Sequence, residues 1–257
     1  MAAGLRAVPA QPAAESAAKA PWLGELQLGD DWALWRGRIG DNRWHRHFAA
    51  QALLDTSGAA VSVLDQHGRA LPGHGLIEPL QRHRLHAADH GVLLFVEPRP
   101  WSALSLPAPW RQALQGVLAA RTLGDGDTGA ADKSSFWARW QAGATARADL
   151  GWEAGMRALL DASLAEGVLR LPALARRFGL SDDRFRHLFA ERMGLPFSRF
   201  VLWRRLHRAF RFLQDGERVT QAAHAAGFAD AAHFGRTLRH NFGVSATQLL
   251  CPRLAPP

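Results

Sequence analysis

One short helical device occurs twice in this chain, and it constrains the fold more than any other feature. The first copy, from Leu171, reads LPALARRFGLSDDRFRHLFAERMG. Pro172 suits a first helical turn, where its missing N–H is not needed. Leu174, Ala175 and Phe178 share a face, and Gly179 supplies a sharp turn. Ser181 then reads as an N-cap ahead of two acids that favour the positive end of a helix dipole. Phe185, Leu188, Phe189 and Arg192 continue at helical spacing to Gly194. The second copy, GFADAAHFGRTLRHNFG, begins at Gly227, 48 residues after Gly179. Ala223 lies four before its glycine, as Ala175 does, where two crossing helices leave no room for a larger side chain. Phe228 takes the place of Leu180, Asp230 stands near the cap position of Ser181, and His233, Phe234 and Leu238 supply the buried side. Between the copies, Ser198 to Leu213 (SRFVLWRRLHRAFRFL) is amphipathic, with Phe200, Trp203, Leu206, Phe210 and Leu213 on one side. The pattern predicts helix, tight turn, helix, twice over, tied by one long helix.

Charge follows the same division. Residues 1–154 hold 15 Lys+Arg against 15 Asp+Glu, and residues 155–257 hold 16 against 8, so the whole net charge of +8 lies in the last hundred residues. A basic helical domain beside a neutral one implies a polyanion partner for the first and other work for the second. The Arg-over-Lys bias runs through the entire chain and reads as compositional background. Tryptophan is distributed the other way, with nine of ten at or before Trp152.

LARRFGLSDDRFRHLFAERMG, RRLHRAFRFLQDG and GFADAAHFGRTLRHNFGVSATQLL together resemble the DNA-binding domain of AraC/XylS-type transcription regulators. The resemblance covers residues 155–250. It departs from the family at Ala246 and Leu249, within the closing Gly-x-Ser-Pro-x-x-Tyr pattern. It implies that the second helix of each unit enters adjacent major-groove segments on one side of the duplex. Carried over by position, the first reading helix would offer Asp183, Arg186 and His187 to base edges, with Ser181 and Arg184 near phosphates. An arginine can engage guanine O6/N7 bidentately, and a carboxylate can accept from cytosine N4. The matching positions on the second helix are Ala231, Ala232, Gly235 and Arg236, three of which lack hydrogen-bonding side chains. Base specificity is therefore expected mainly from the first helix, with Arg236, Arg239 and His240 of the second holding backbone.

The neutral half shows short β runs: DWALWRGRI, AAQALLD, AAVSVLD, RHRLHAA and GVLLFVEP, with turns at Thr56-Ser-Gly and Gln66-His-Gly. Pro109–Arg121 and Ser134–Leu150 read as helices around a GDGDTGAADK loop. On Trp44-His-Arg-His-Phe, the strands around Gly58 and Glu78-Pro-Leu-Gln-Arg-His-Arg-Leu, this half resembles, more weakly, the cupin-like sensor domain of the same regulators. That resemblance implies a metal-type set at His45, His47 and His83, with Gln51 where metal-binding cupins carry Glu, and Leu80 in place of a usual glycine. Residues two apart on a strand share a face, which suits His45 and His47. These histidines read as lining an organic-ligand pocket with Trp35 and Gln51, with metal binding and plain structural roles as alternatives. Trp32, Trp35 and Trp44 fit a small barrel's core, or stacking on a ligand.

The expected fold class is α+β: a cupin-like antiparallel β-barrel with following helices, then an all-α domain of two helix-turn-helix units. The boundaries read as a disordered tail at 1–21, a sensor domain at 22–123, a linker and helical segment at 124–153 and a DNA-binding domain at 154–251. Leu114, Val117, Leu118 and Leu123 offer a dimer seam, or packing against their own barrel. With a lone cysteine, Cys251, no signal-like segment and no long apolar run, a cytoplasmic setting is expected. The expected partners are double-stranded DNA, a small-molecule effector, a second copy of the chain and RNA polymerase, with no cofactor. No compact nucleophile–base arrangement or phosphate-binding glycine loop speaks for an enzyme. A metal-dependent cupin enzyme fused to a nucleic-acid-binding domain, and sequence-independent nucleic-acid binding, are the competing readings.

Overall fold

A computed structural model describes residues 22–40, 42–54, 61–70, 75–98, 106–124, 135–143, 150–167 and 169–245. The tail, the turn at Thr56, the loop 125–134 and the positions Ala246, Leu249 and Cys251 lie outside the described residues.

Among the described residues seven strands come first: β1 Leu23–Leu28, β2 Trp32–Ile39, β3 Ala50–Leu53, β4 Val63–Asp65, β5 Leu76–Ile77, β6 His83–Leu85 and β7 Ala88–Val96. They form a five-stranded antiparallel sheet in the order β1-β2-β7-β3-β5 and a two-stranded sheet β4-β6. Strand periodicity divides the long sheet cleanly. Leu34, Ala52, Leu94 and Val96 face one way, into a core with Leu114 and Leu118 of α1 (Ala108–Gly124) and Phe136, Trp137 and Trp140 of α2 (Phe136–Gly143). Trp35, Leu53 and Leu93 face the other way, into a core with Ile77, Leu85 and, from far along the chain, Val244. α2 is tied down at its first two residues. Phe136 N–H donates to Glu78 Oε2 at 2.7 Å, and the Trp137 indole donates to the Ile77 carbonyl at 3.2 Å.

Among the described residues eight helices complete the α+β fold, the rest being α3 Leu150–Ala165, α4 Leu171–Arg177, α5 Asp182–Met193, α6 Phe197–Gln214, α7 Val219–Ala225 and α8 Ala231–Phe242. α4–α5 and α7–α8 are the two helix-turn-helix units. Gly179 and Gly227 turn them with φ of 65° and 87°, a left-handed conformation that costs glycine nothing. Ala175 and Ala223 are fully buried, as the crossing requires. α6 serves both cores. Phe200 and Val201 pack with Leu174, Phe185 and Phe189, while Leu206, Ala209 and Leu213 pack with Ala222, Phe228 and Phe234.

Several sequence expectations need correction. β1 and β5 carry no signal strong enough to be read, β1 because LGELQL is an edge strand largely half-buried, β5 because it has two residues. Of the helix expected over 134–150, α2 covers Phe136–Gly143 and residues 144–149 lie outside the described residues; α3, unanticipated, buries Met156, Leu160 and Leu164 beneath the first unit. The dimer seam is not available as drawn, because Leu114 and Leu118 are consumed in their own domain's core and Val117 is partly buried against it. The side chain of Leu123 lies outside the described residues.

Candidate functional site

Each reading helix begins at a side-chain cap. Ser181 Oγ accepts from the Arg184 N–H at 3.3 Å, and Asp230 Oδ1 accepts from the His233 N–H at 2.5 Å. That backbone donor holds the Asp230 carboxyl below its ordinary range. Ser181 is thus occupied at the helix start, as its residue type dictates. Asp183, Arg184, Arg186 and His187 are exposed on α5. On α8, Ala232, Arg236, Arg239 and His240 are exposed, and Ala231 and Gly235 half-buried. Arg186 Nη1 contacts Asp183 Oδ1 at 2.6 Å. An exposed pair of this kind contributes little stability, so the guanidinium can leave it for another acceptor. His233 is half-buried, its ring edge-on to Phe228 at 5.3 Å.

The two domains are joined along α6, and the residues that join them were not foreseen. Arg204 is buried and donates to Asp161 from Nε and Nη2 at 2.9 and 2.6 Å, to Glu97 Oε1 at 3.2 Å and to the Asp30 carbonyl at 2.5 Å. Burial pulls the Arg204 guanidinium down, but Glu97 and Asp161 outweigh it and hold it above its ordinary value. Arg157 reaches the same fully buried Glu97 at 3.2 Å. His207 Nε2 meets the Gly29 carbonyl at 2.6 Å, and Gln214 donates to the Leu26 carbonyl at 2.8 Å. Burial first, then Arg204 and Arg211, push His207 down to about 4, so the imidazole is neutral and Nε2 carries the proton it donates. A sequence signal existed, since Arg204 and His207 interrupt the inner side of an amphipathic helix. Their partners, more than a hundred residues away for Glu97 and Gly29, could not be read from spacing.

Between α6, α8 and the β-domain lies an apolar cavity with about 960 Å³ of unfilled space, part of it open to solvent. Trp35, His45 and Gln51 line it from one domain, and Trp203, Phe210 and Phe242 from the other. The buried indole nitrogen of Trp35 has no hydrogen-bond partner. Trp22 packs edge-on to Trp35 at 5.4 Å, and Trp32 belongs to the opposite face of the sheet. Trp44 is half-buried with Arg82 over its ring at 5.7 Å.

His45 lines the cavity, and His47 and His83 meet it from behind. His45 and His47 are not on a regular strand. They sit in the segment before β3, which touches β6 through a single bridge between His45 and His83. The rings are 4.2 Å (His45–His83), 5.0 Å (His47–His83) and 5.7 Å (His45–His47) apart between centroids. Burial holds all three below the ordinary histidine range, His83 down to about 3; His83 and His47 lower His45 further, and His47 lowers His83. Of the five residues expected to bind ligand, Trp35, His45 and Gln51 line the cavity, and His47 and His83 stand directly behind. Leu80, where the related motif carries glycine, adopts φ of 65° and is exposed. The fold keeps the left-handed turn although the residue is not the one that turn favours.

Two helix-turn-helix units, docked through their connecting helix on a β-rich domain, define the architecture. Comparison with known proteins agrees. A helix-turn-helix domain family matches residues 174–250. The transcriptional activator RhrA of Rhizobium meliloti (strain 1021) is 32% identical over 99 residues, a match spanning 37% of this chain and 31% of that protein. The fold is that of ToxT from Vibrio cholerae. An apo ToxT variant from strain SCE256 aligns with a TM-score of 0.51 at 12% identity, over 88% of this chain and 98% of that one, and ToxT of O395 with 0.50 at 13%, over 86% and 98%. The domain match lies in the last third of the chain, the chain covers about a third of the length of that curated relative, and the solved structures share its fold. No helix among the described residues is long and apolar enough to cross a membrane.

Proposed function

We propose that this chain regulates transcription by sequence-specific binding of double-stranded DNA, under the control of a small molecule taken up between its two domains. The carrying observation is the pair of capped helices, α5 and α8, that present Arg184, Arg186, Arg236 and Arg239 to solvent from the only half of the chain with excess positive charge. α5 reads bases through Asp183, Arg186 and His187, and α8 holds the sugar–phosphate backbone through Arg236, Arg239 and His240.

The effector is an apolar molecule carrying a hydrogen-bond acceptor, since the buried indole nitrogens of Trp22, Trp35 and Trp203 around the cavity all lack a partner. Its body replaces the contacts missing from the aromatic-lined cavity, and the acceptor meets the unpartnered Trp35 indole N–H. Because the cavity's walls come from both domains, a ligand binds one domain arrangement better than another and shifts their populations. A homodimer would present two DNA-binding domains to repeated half-sites, multiplying affinity through effective concentration. RNA polymerase is the further partner this reading implies, and the sign of regulation follows from where the operator lies relative to the promoter.

The test is selection of bound fragments from genomic DNA, followed by competition of the best fragment against random DNA at fixed salt. A specificity ratio of about 10³ or more is expected. A ratio near unity would replace sequence-specific regulation with general nucleic-acid binding.

A further inference from the structure

Resting on the reading that the cavity takes up the effector, we infer that this effector is an uncharged aromatic molecule with a carbonyl-type acceptor, and that a carboxylic acid enters only with its proton on. None of the described residues that line the cavity is Asp, Glu, Lys or Arg. Its walls are aromatic from both sides, with Trp22, Trp35 and Phe95 of the β-domain facing Trp203, Phe210 and Phe242. Trp22 and Trp35 cross edge-on at 5.4 Å, and Phe95 and Phe242 at 5.6 Å. Walls that offer both ring faces and ring edges suit a flat ring, which packs offset or edge-on against them.

The polar groups in the wall are neutral as well. His45 Nδ1 lies 2.8 Å from the Arg43 carbonyl, and His207 Nε2 2.6 Å from the Gly29 carbonyl. A carbonyl only accepts, so each of these nitrogens carries its ring's one proton. Burial holds both imidazoles below the ordinary histidine range, and does the same to His47 and His83 behind His45, so none supplies a cation at neutral pH. The two guanidiniums that act on His207 are paired elsewhere, Arg204 with Asp161 and Glu97 and Arg211 with Asp30, and neither lines the cavity. What stands without a partner is a set of donors, the indole N–H groups of Trp22, Trp35 and Trp203 and the Gln51 amide nitrogen. These features sort ligands by charge. A cation cannot accept from an N–H. A carboxylate can, but it gives up its hydration for no opposite charge, and in such surroundings it takes a proton instead. A ketone or ester oxygen accepts the same hydrogen bonds without that cost.

The experiment is equilibrium dialysis of the full-length protein against four probes of one shape: naphthalene, methyl naphthyl ketone, naphthoate and naphthylmethyl trimethylammonium. It runs from about pH 6.5 to 8, above the ordinary histidine pKa. The ketone should bind more tightly than naphthalene, with an affinity that does not change with pH. Naphthoate should bind at least about tenfold more weakly than the ketone and lose roughly a further tenfold per pH unit, as binding of the protonated acid alone demands. Leu28→Lys, which sets an ammonium at a half-buried position of the wall, should bring naphthoate level with the ketone and remove its pH dependence. If that variant does not fold, the pH series on the unaltered chain decides. Naphthoate or the ammonium probe bound as tightly as the ketone at every pH would overturn the uncharged effector and leave the cavity's role standing. A ketone no tighter than naphthalene would overturn the acceptor. Retention of none of the four would overturn this inference together with uptake of an effector by the cavity.

Discussion

The two helix-turn-helix units are built alike and sit differently. Each has a buried alanine at its crossing, a left-handed glycine at its turn and an oxygen cap on its reading helix. Each reading helix ends on a left-handed glycine that abuts the β-domain. At Gly194 of the first unit, an added Cβ would lie 2.8 Å from the Pro98 carbonyl oxygen and touch nothing else. At Gly243 of the second it would strike the Arg43 carbonyl oxygen at 2.4 Å and the Arg43 nitrogen at 2.8 Å, with His45 Nδ1 at 3.1 Å. The Arg43 N–H donates to the Gly243 carbonyl at 3.1 Å, and the ring of Phe242 lies 5.6 Å from both His47 and Phe95. Phe234, Leu238 and Phe242 of α8 line the cavity, and no residue of α5 does. The difference teaches that like local sequence leaves one unit clear of the cavity and ends the other against its wall.

That contrast can be broken at four points. The largest effect is expected at the seam both units share. Glu97→Ala leaves the buried Arg204 and the half-buried Arg157 without their common carboxylate, and should cost about 3–5 kcal/mol in denaturant unfolding. Next comes acid. His207 is held at about 4 in the folded chain against 6.5 unfolded, so the unfolded state takes up the proton first. Its stabilisation is intact above pH 6.5 and is lost as pH falls towards 4, by about 3 kcal/mol in all. His207→Gln, which keeps a donor for the Gly29 carbonyl, should remove that share of the pH dependence; an unchanged slope would show that the ring is not buried at this seam.

The glycine pair tests the asymmetry directly. Gly194→Ala should cost at least the roughly 1–2 kcal/mol of a left-handed alanine, because the Pro98 carbonyl must give way as well. Gly243→Ala should cost more, because backbone atoms of Arg43 must also move, and it alone should alter any effector response in a DNA-binding titration. Equal costs and equal responses would dissolve the distinction between the units. The smallest effects are in recognition. Arg186→Ala should lose about 1–3 kcal/mol of discrimination at one base pair, whereas Arg239→Ala should weaken all sequences alike and flatten the salt dependence by about one ion. If Arg186→Ala kept full discrimination, base reading by α5 would be wrong.

Much of the helical domain was legible because its signals are local. Ser181 and Asp230 cap within three residues, Gly179 and Gly227 turn at single positions, and the apolar side of α6 is set by a 3.6-residue period. The β-domain was legible only in its strongest strands. DWALWRGRI and GVLLFVEP carry enough buried β-branched and aromatic residues to stand out, whereas β1 borrows its stability from pairing with β2 along an edge. The five residues assigned to a ligand pocket do come together, though His45 and His47 do so from an irregular segment held by a bridge to His83.

By itself, then, the amino-acid order determined that this chain carries two capped helical wedges on a common rod, since caps, turns and helix faces depend on neighbours a few residues apart. Where the rod docks, which carboxylate meets Arg204, that three imidazoles converge and that α8 and not α5 ends against them were decided by tertiary structure alone. Those contacts join residues up to about two hundred positions apart, as Arg43 and Gly243 are, and no periodicity spans such a distance. They are chosen by the packing of whole faces, and the chemistry of the site follows from that choice.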